Sequence, residues 1–533
     1  MRLRNVAVLL CATSALLYAC GSDDDSAPSG GAGAGGKSTA GAGGKASAGA
    51  AGKAGAASGG AGNAAGNGNE AGDDAGGVGN MGNAGGMGNT GNEPGEGGMG
   101  GEAGSPVVSK KFTVTLENVA PVKAFTSSGV FARPVGDAAD GPATPGKKYE
   151  FTVDVGRKQK LHFATMLAAT NDLFYGPNGD GIALYDEAGA PIAAMDVTSQ
   201  ISLWDAGTEV NEEPHVGPNT VTNQAAANTG VVENGNVVTI ANATDGVAFN
   251  YPAVSAVIKV SFVHTTGTLF KITIENVSSA TALMTSAGNF PAPLSPGVWV
   301  VSSAKDPLFK AGSPDYGKGL ERIAEDGNPA PLGTYAAATS GITYPASPGV
   351  WVLHTAGSKP LFTAGAADLG KGLENIAEDG NATPLGSNVA TLAGYLSGAV
   401  FNTPVGNVAP GAITPGAKFQ FSFNASPGES LSFASMLAAT NDVFFAPAAT
   451  GIPLFNAAGS PVTGDVSAQV SLWDAGTEGN EEPGIGPNTV TNQLPTSTAA
   501  AGEGKVQLLS AVTTDTYVYP TSQSVLKVTL AAE

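Results

Sequence analysis

The 533-residue chain has two cysteines, Cys11 and Cys20, both within its first twenty positions. Everything beyond them must hold together without a disulfide, through core size or a bound metal. Histidine is nearly as scarce, with His162, His215, His264 and His354 the only four. No His-Glu-x-x-His and no Gly-x-Ser-x-Gly occurs, which removes the common signatures of zinc and serine hydrolases. Basic residues are outnumbered, 25 Lys and Arg against 45 Asp and Glu, for a net charge of −20. A surface of that sign repels phosphate backbones, so nucleic acid is excluded as a partner. Long apolar runs are also missing; Val6 to Leu17 is the one such stretch, and it is too short to span a bilayer.

That stretch follows Arg2 and Arg4 and is closed by Leu17-Tyr18-Ala19-Cys20. A positive start, an apolar middle and a small-residue end make residues 1–19 a signal peptide. Leu-Tyr-Ala-Cys-Gly resembles a bacterial lipobox, which implies lipidation of Cys20 and attachment to a membrane through that anchor. Acidic residues begin only at Asp23, similar to lipoproteins sorted onward, so the expected location is the outer membrane or cell surface. Residues 20–109 are dominated by Gly, Ala, Asn and Ser and bury too little apolar surface to offset their ordering entropy. They are read as a disordered tether, with a typical end-to-end distance of about 50 Å. Within it, Gly31-Ala-Gly33-Ala-Gly-Gly36 matches the dinucleotide fingerprint by composition only, since no strand precedes it.

What the rest of the chain contains is a repeat. LHFATMLAATNDLFYGP from Leu161 to Pro177 returns as LSFASMLAATNDVFFAP from Leu431 to Pro447. SLWDAGTEVNEEPHVGPNTVTNQ from Ser202 to Gln224 returns, nearly unchanged, from Ser471 to Gln493. Self-similarity on this scale means two copies of one domain. Phe112-Thr-Val-Thr-Leu-Glu-Asn-Val119 and Phe270-Lys-Ile-Thr-Ile-Glu-Asn-Val277 alternate apolar and polar residues as half-buried strands do. Short strands, frequent Pro and Gly turns and few helical periods predict an all-β protein of two antiparallel β-sandwich domains, over 110–266 and 267–533. The second is expected to carry a duplicated block, 295–386, in which Ser295-Pro-Gly-Val-Trp299 recurs as Ser347-Pro-Gly-Val-Trp351; the first, lacking it, is read as abbreviated. Each copy predicts a short helix. Leu320, Ile323 and Ala324 form its buried face and Gly327 its stop, with Ile376 and Gly380 in those parts in the second copy.

The repeated acids are the one evident chemical constellation. Asp205 and Glu209 flank a turn-sized Ala-Gly-Thr, and Asp172 lies 33 residues upstream, the separation of two joined strand ends. Asp442, Asp474 and Glu478 repeat the arrangement. Hard oxygen ligands with no nearby Cys or His suit Ca²⁺; the alternative is a set of solvated turn acids. Trp204 and Trp473, each one residue before a candidate ligand, are expected to pack and fix the loop, with stacking on a sugar or a partner as the alternative, and Trp299 and Trp351 to fill core from strands.

Met166-Leu-Ala-Ala-Thr-Asn-Asp172-Leu-Phe-Tyr-Gly176 and Trp204-Asp205-Ala-Gly207-Thr-Glu209 resemble two stretches of the spondin N-terminal domain of F-spondin and mindin. Leu308 to Glu325 is similar to that family's upstream helix region. The resemblance implies a C2-like sandwich holding calcium with the three matching acids in each repeat. This chain departs from the family where Glu209 and Glu478 stand for its second Asp, and in having none of its cysteines. Taken with the lipobox, the resemblance implies a surface lipoprotein for adhesion or for binding a glycan, matrix or cell-surface ligand; the missing catalytic motifs and the histidines unmatched between repeats argue against an enzyme. A polysaccharide hydrolase and a passive envelope component are the alternatives. The second repeat, with its extra block, is expected to respond more strongly to calcium.

Overall fold

The computed structural model describes residues 109–533 except 244, 246, 247, 496, 497 and 515. The expected signal peptide, Cys20 and all but the last residue of the expected tether lie outside the described residues. The described chain is all-β and antiparallel, with a few short helices, and builds two sandwich modules within one unit. In the first, a four-stranded sheet runs in the order Lys148–Asp154, Leu269–Asn276, Ile258–Thr266, Ala194–Asp196. It faces a larger sheet ordered Ser127–Phe131, Leu294–Ser302, Lys160–Leu167, Leu173–Pro177, Ile201–Asp205, Val238–Thr239. The second module repeats both orders. Lys418–Ala425, Lys110–Asn118, Leu526–Ala532 and Gly464–Asp465 face Tyr395–Phe401, Ala346–Thr355, Glu429–Leu437, Val443–Pro447, Val470–Asp474 and Gln507–Leu508.

Alternation decides which side chains enter the cores. Phe112, Val114 and Leu116 point between the sheets of the second module, and Phe270, Ile272 and Ile274 between those of the first. Lys160–Leu167 and Glu429–Leu437 are buried on both faces because helices cover the outer side of each larger sheet. Leu320–Asp326 and Leu373–Asp379 do this with Leu320, Ile323 and Ala324, or Leu373, Ile376 and Ala377. Both helices stop as the sequence predicts, at Gly327 (φ 63°) and Gly380 (φ 65°), a left-handed conformation that glycine adopts without strain.

Strand pairing does not follow the expected boundary at 266/267. Leu269–Asn276, assigned to the second domain, pairs with Ile258–Thr266 and Lys148–Asp154 of the first. Lys110–Asn118, assigned to the first, lies between Lys418–Ala425 and Leu526–Ala532 of the second. The duplicated block is likewise shared. Leu294–Ser302 sits between Ser127–Phe131 and Lys160–Leu167, whereas Ala346–Thr355 sits between Tyr395–Phe401 and Glu429–Leu437. Each module thus has one copy, and the first is not abbreviated. The physical reason is that the strands beginning Phe112 and Phe270 carry the same inward apolar set, so either can complete either sheet. The second module therefore encloses the first in the chain. The two crossings run side by side, with Ala124 N donating to Thr339 O and Gly341 N to Phe125 O, both at 3.0 Å.

Candidate metal centre

Sheet register brings the distant acids together. Leu173 pairs with Asp205 and Val443 with Asp474, so Asp172 and Asp442, each one residue earlier, reach the same sheet end as their partners. The turn that follows is fixed by glycine. Asp205 Oδ1 accepts from Gly207 N at 2.8 Å, and Asp474 Oδ1 from Gly476 N at 3.0 Å. Gly207 has φ 69° and a Cβ there would lie 2.7 Å from Asn236 O; at Gly476 (φ 68°) it would lie 2.2 Å from Lys505 O. Only glycine fits this Ala-Gly-Thr turn.

The turn then wraps the first aspartate. Asp172 accepts from Thr208 N (2.8 Å), Thr208 Oγ1 (2.6 Å) and Glu209 N (3.0 Å). Asp442 accepts from Thr477 N (3.0 Å), Thr477 Oγ1 (2.8 Å) and Glu478 N (3.1 Å). All four aspartates are buried. Desolvation holds Asp172 well above the usual carboxylate range, and the charge of Asp205 adds to this. Asp205, Asp442 and Asp474 are raised too, each chiefly by desolvation, with Asp474 pushing on Asp442. Two carboxyls so placed share protons when alone; a cation between them would favour both ionised forms.

The two glutamates carried by the motif are placed differently. Glu209 accepts from Asn171 Nδ2 at 3.2 Å and Gly230 N at 2.8 Å. Glu478 accepts from Asn441 Nδ2 at 3.1 Å. In the first module the third carboxylate beside the aspartates is Glu233: Asp172, Asp205 and Glu233 each offer an oxygen, all within 4.8 Å of one another. Oxygens at that spacing, on two buried aspartates and a half-buried glutamate, fit a hard cation of calcium's size, which takes ligands at about 2.3–2.6 Å. The repeat could not reveal Glu233, because Gly502 holds its place in the second copy, counting back from Val237 and Val506, whose N–H groups bond equivalently. The acid near the second pair is Glu503, whose charge raises Asp474 and which also accepts from Thr514.

Helix acids also reach each site, Glu325 at Thr208 and Glu378 at Thr477. Desolvation first pushes Glu325 and Glu378 up to about 7. Thr477 Oγ1 lies 2.6 Å from Glu378 Oε1 and 2.8 Å from Asp442 Oδ1. One hydroxyl has one proton, so one of those carboxyls is protonated in this arrangement. Trp204 and Trp473 have the packing role expected of them. Both are buried, they donate to Gly176 O (3.0 Å) and Ala446 O (3.2 Å), and they rest on Phe309 and Phe362. No protein-family model matches the chain, and no curated protein is significantly similar to it.

Proposed function

We propose that this is a calcium-stabilised binding protein of the cell surface, built from two C2-like, spondin-like modules and held to the membrane by a lipid on Cys20. Its role is adhesion or ligand capture, not catalysis. The observation that carries the metal reading is the buried pairing of Asp172 with Asp205 and of Asp442 with Asp474, made by the same register in both modules. Buried acids of like charge are retained where a cation compensates them. The first module supplies the fuller ligand set, because Glu233 joins its aspartates. The ground for ranking the second repeat higher is gone, since each module has its own copy of the helical block.

The test is thermal unfolding of the full-length protein. A metal bound only to the folded state adds about 2.7 kcal/mol at a hundredfold excess over Kd. Millimolar Ca²⁺ should raise the melting temperature, EDTA should lower it, and Asp205→Asn should blunt the response of the first module. Scans indifferent to both reagents would return the acids to the role of turn residues. For the anchor, Cys20→Ala should release the protein from the membrane fraction; unchanged association would defeat the lipoprotein reading.

A further inference from the structure

Between the modules runs a crevice that neither could form alone. From the first module it takes Asp154 and Trp299, and from the second Tyr344, Glu482 and Tyr517; its volume is about 520 Å³. An adjoining hollow of about 390 Å³ shares Glu482 and Tyr517 and continues past Tyr185. Direct contacts fix the two walls. Arg157 Nη1 donates to Pro487 O at 3.0 Å and Gln159 Nε2 to Gly484 O at 2.9 Å. Small-molecule sites favour such positions, in concave junctions of this size with mixed apolar and polar linings.

Comparison of the two repeats shows what opened the crevice. Trp351, in the second module, is buried under Phe421 and Phe423 at ring separations of 5.4 and 5.0 Å. Trp299 keeps the first stacking partner as Phe151 (5.6 Å, 2° between planes), but Val153 stands where the second would be. The indole is left half-buried and borders the crevice. Asp154 likewise replaces Asn424, and one of its oxygens accepts from Thr268 Oγ1 at 2.9 Å. Aromatic surface beside carboxylate acceptors matches one ligand chemistry well. Sugar rings offer apolar C–H faces to the aromatics and a rim of hydroxyl donors to the acids. The acids, in a chain of net charge −20, disfavour an anionic ligand.

We infer that this crevice binds a neutral oligosaccharide, with Tyr517, Tyr344 and Trp299 as its aromatic platform and Asp154 and Glu482 accepting its hydroxyls. The inference rests on the reading of the protein as a surface binder, but not on its metal sites. It is tested by calorimetric titration of the full-length protein with cellohexaose, laminarihexaose, mannohexaose and chitohexaose. At least one should bind, and both Tyr517→Ala and Glu482→Gln should weaken it about tenfold or more without moving the melting temperature. Tyr316→Ala, exposed and outside the crevice, should bind as the parent does. Failure of all four sugars to bind, or equal binding by the parent and both crevice variants, would overturn the inference. Because the readout is sugar affinity, a protein that ignores calcium yet binds sugar would sink the metal reading alone, and the converse would sink this one.

Discussion

The two modules match strand for strand, yet one is a single stretch of chain and the other is closed by a strand donated from before that stretch. Lys110–Asn118 pairs from Lys110 to Glu117 with a strand that begins at Lys418, with the whole first module in between. A repeat in sequence therefore does not mark out a module in space. Adjacency in the sheet is decided by register and by which apolar faces meet, and both are blind to chain order. The arrangement also ties the modules together, since the first cannot be removed without breaking the chain that completes the second.

The largest effects should follow from that tie. Val114→Asp places a charge in the second core, where Val114 is fully buried, and should cost more than about 4 kcal/mol. Hydrogen exchange should then lose protection across Lys418–Ala425 and Leu526–Ala532, while Ile272→Asp should expose Lys148–Asp154 instead. Val114→Asp exposing Lys148–Asp154 would mean that the strands pair in chain order after all. Metal removal comes next, with the EDTA-induced loss set by the calcium concentration as above.

A smaller difference lies in the buried histidines. In the second module His354 Nε2 meets Ser432 Oγ at 3.0 Å. The first exchanges the pair across the same two strands, with His162 opposite Val300 and Ser302 in the place of His354. There His162 Nε2 has no hydrogen-bond partner among the described residues, and burial pushes the ring down to about 4. The unfolded chain, with a histidine near 6.5, takes up a proton that the folded state refuses. The contribution of His162 to stability must therefore fall as pH drops from about 6.5 towards 4, by about 2 kcal/mol at pH 4.5, opposite in sign to that of the raised carboxyls Glu325 and Glu378. Urea titrations at pH 6.5 and 4.5 should show His162→Gln gaining that much stability relative to the parent at the lower pH; an equal difference at both would contradict the assignment. Smallest is Gly129→Ala. A Cβ there would lie 2.7 Å from the Trp299 indole, which must shift, at a cost of about 1–2 kcal/mol by thermal melt. Ala399, its counterpart in the second module, shows that a methyl can be accommodated where the tryptophan sits deeper.

Much of the fold was legible because alternation and glycine punctuation are local signals. Phe112 to Val119 reads as a strand, and Leu320 to Gly327 as a helix with its stop, without reference to anything distant. The aspartate pairs were legible for a different reason: duplication exposed Asp172 with Asp205, and Asp442 with Asp474, as units. Partnership was not legible. Phe112 and Phe270 head strands of the same pattern, so nothing local says which sheet each one joins. Glu233 was hidden because it lies outside the repeated motif and changes between copies, while Glu209 and Glu478 drew attention by being repeated. Their hydrogen bonds to Asn171 and Asn441 explain that repetition through the loop they hold.

The comparison between the metal sites is settled most directly by calorimetric titration of the full-length protein, stripped with EDTA, with Ca²⁺. Two unequal sites are expected. Asp205→Asn should abolish the tighter one, Glu233→Gln should weaken that one alone by about tenfold, and Asp474→Asn should abolish the weaker one. No binding, or a tight site that survives Asp205→Asn, would contradict calcium coordination by the paired aspartates.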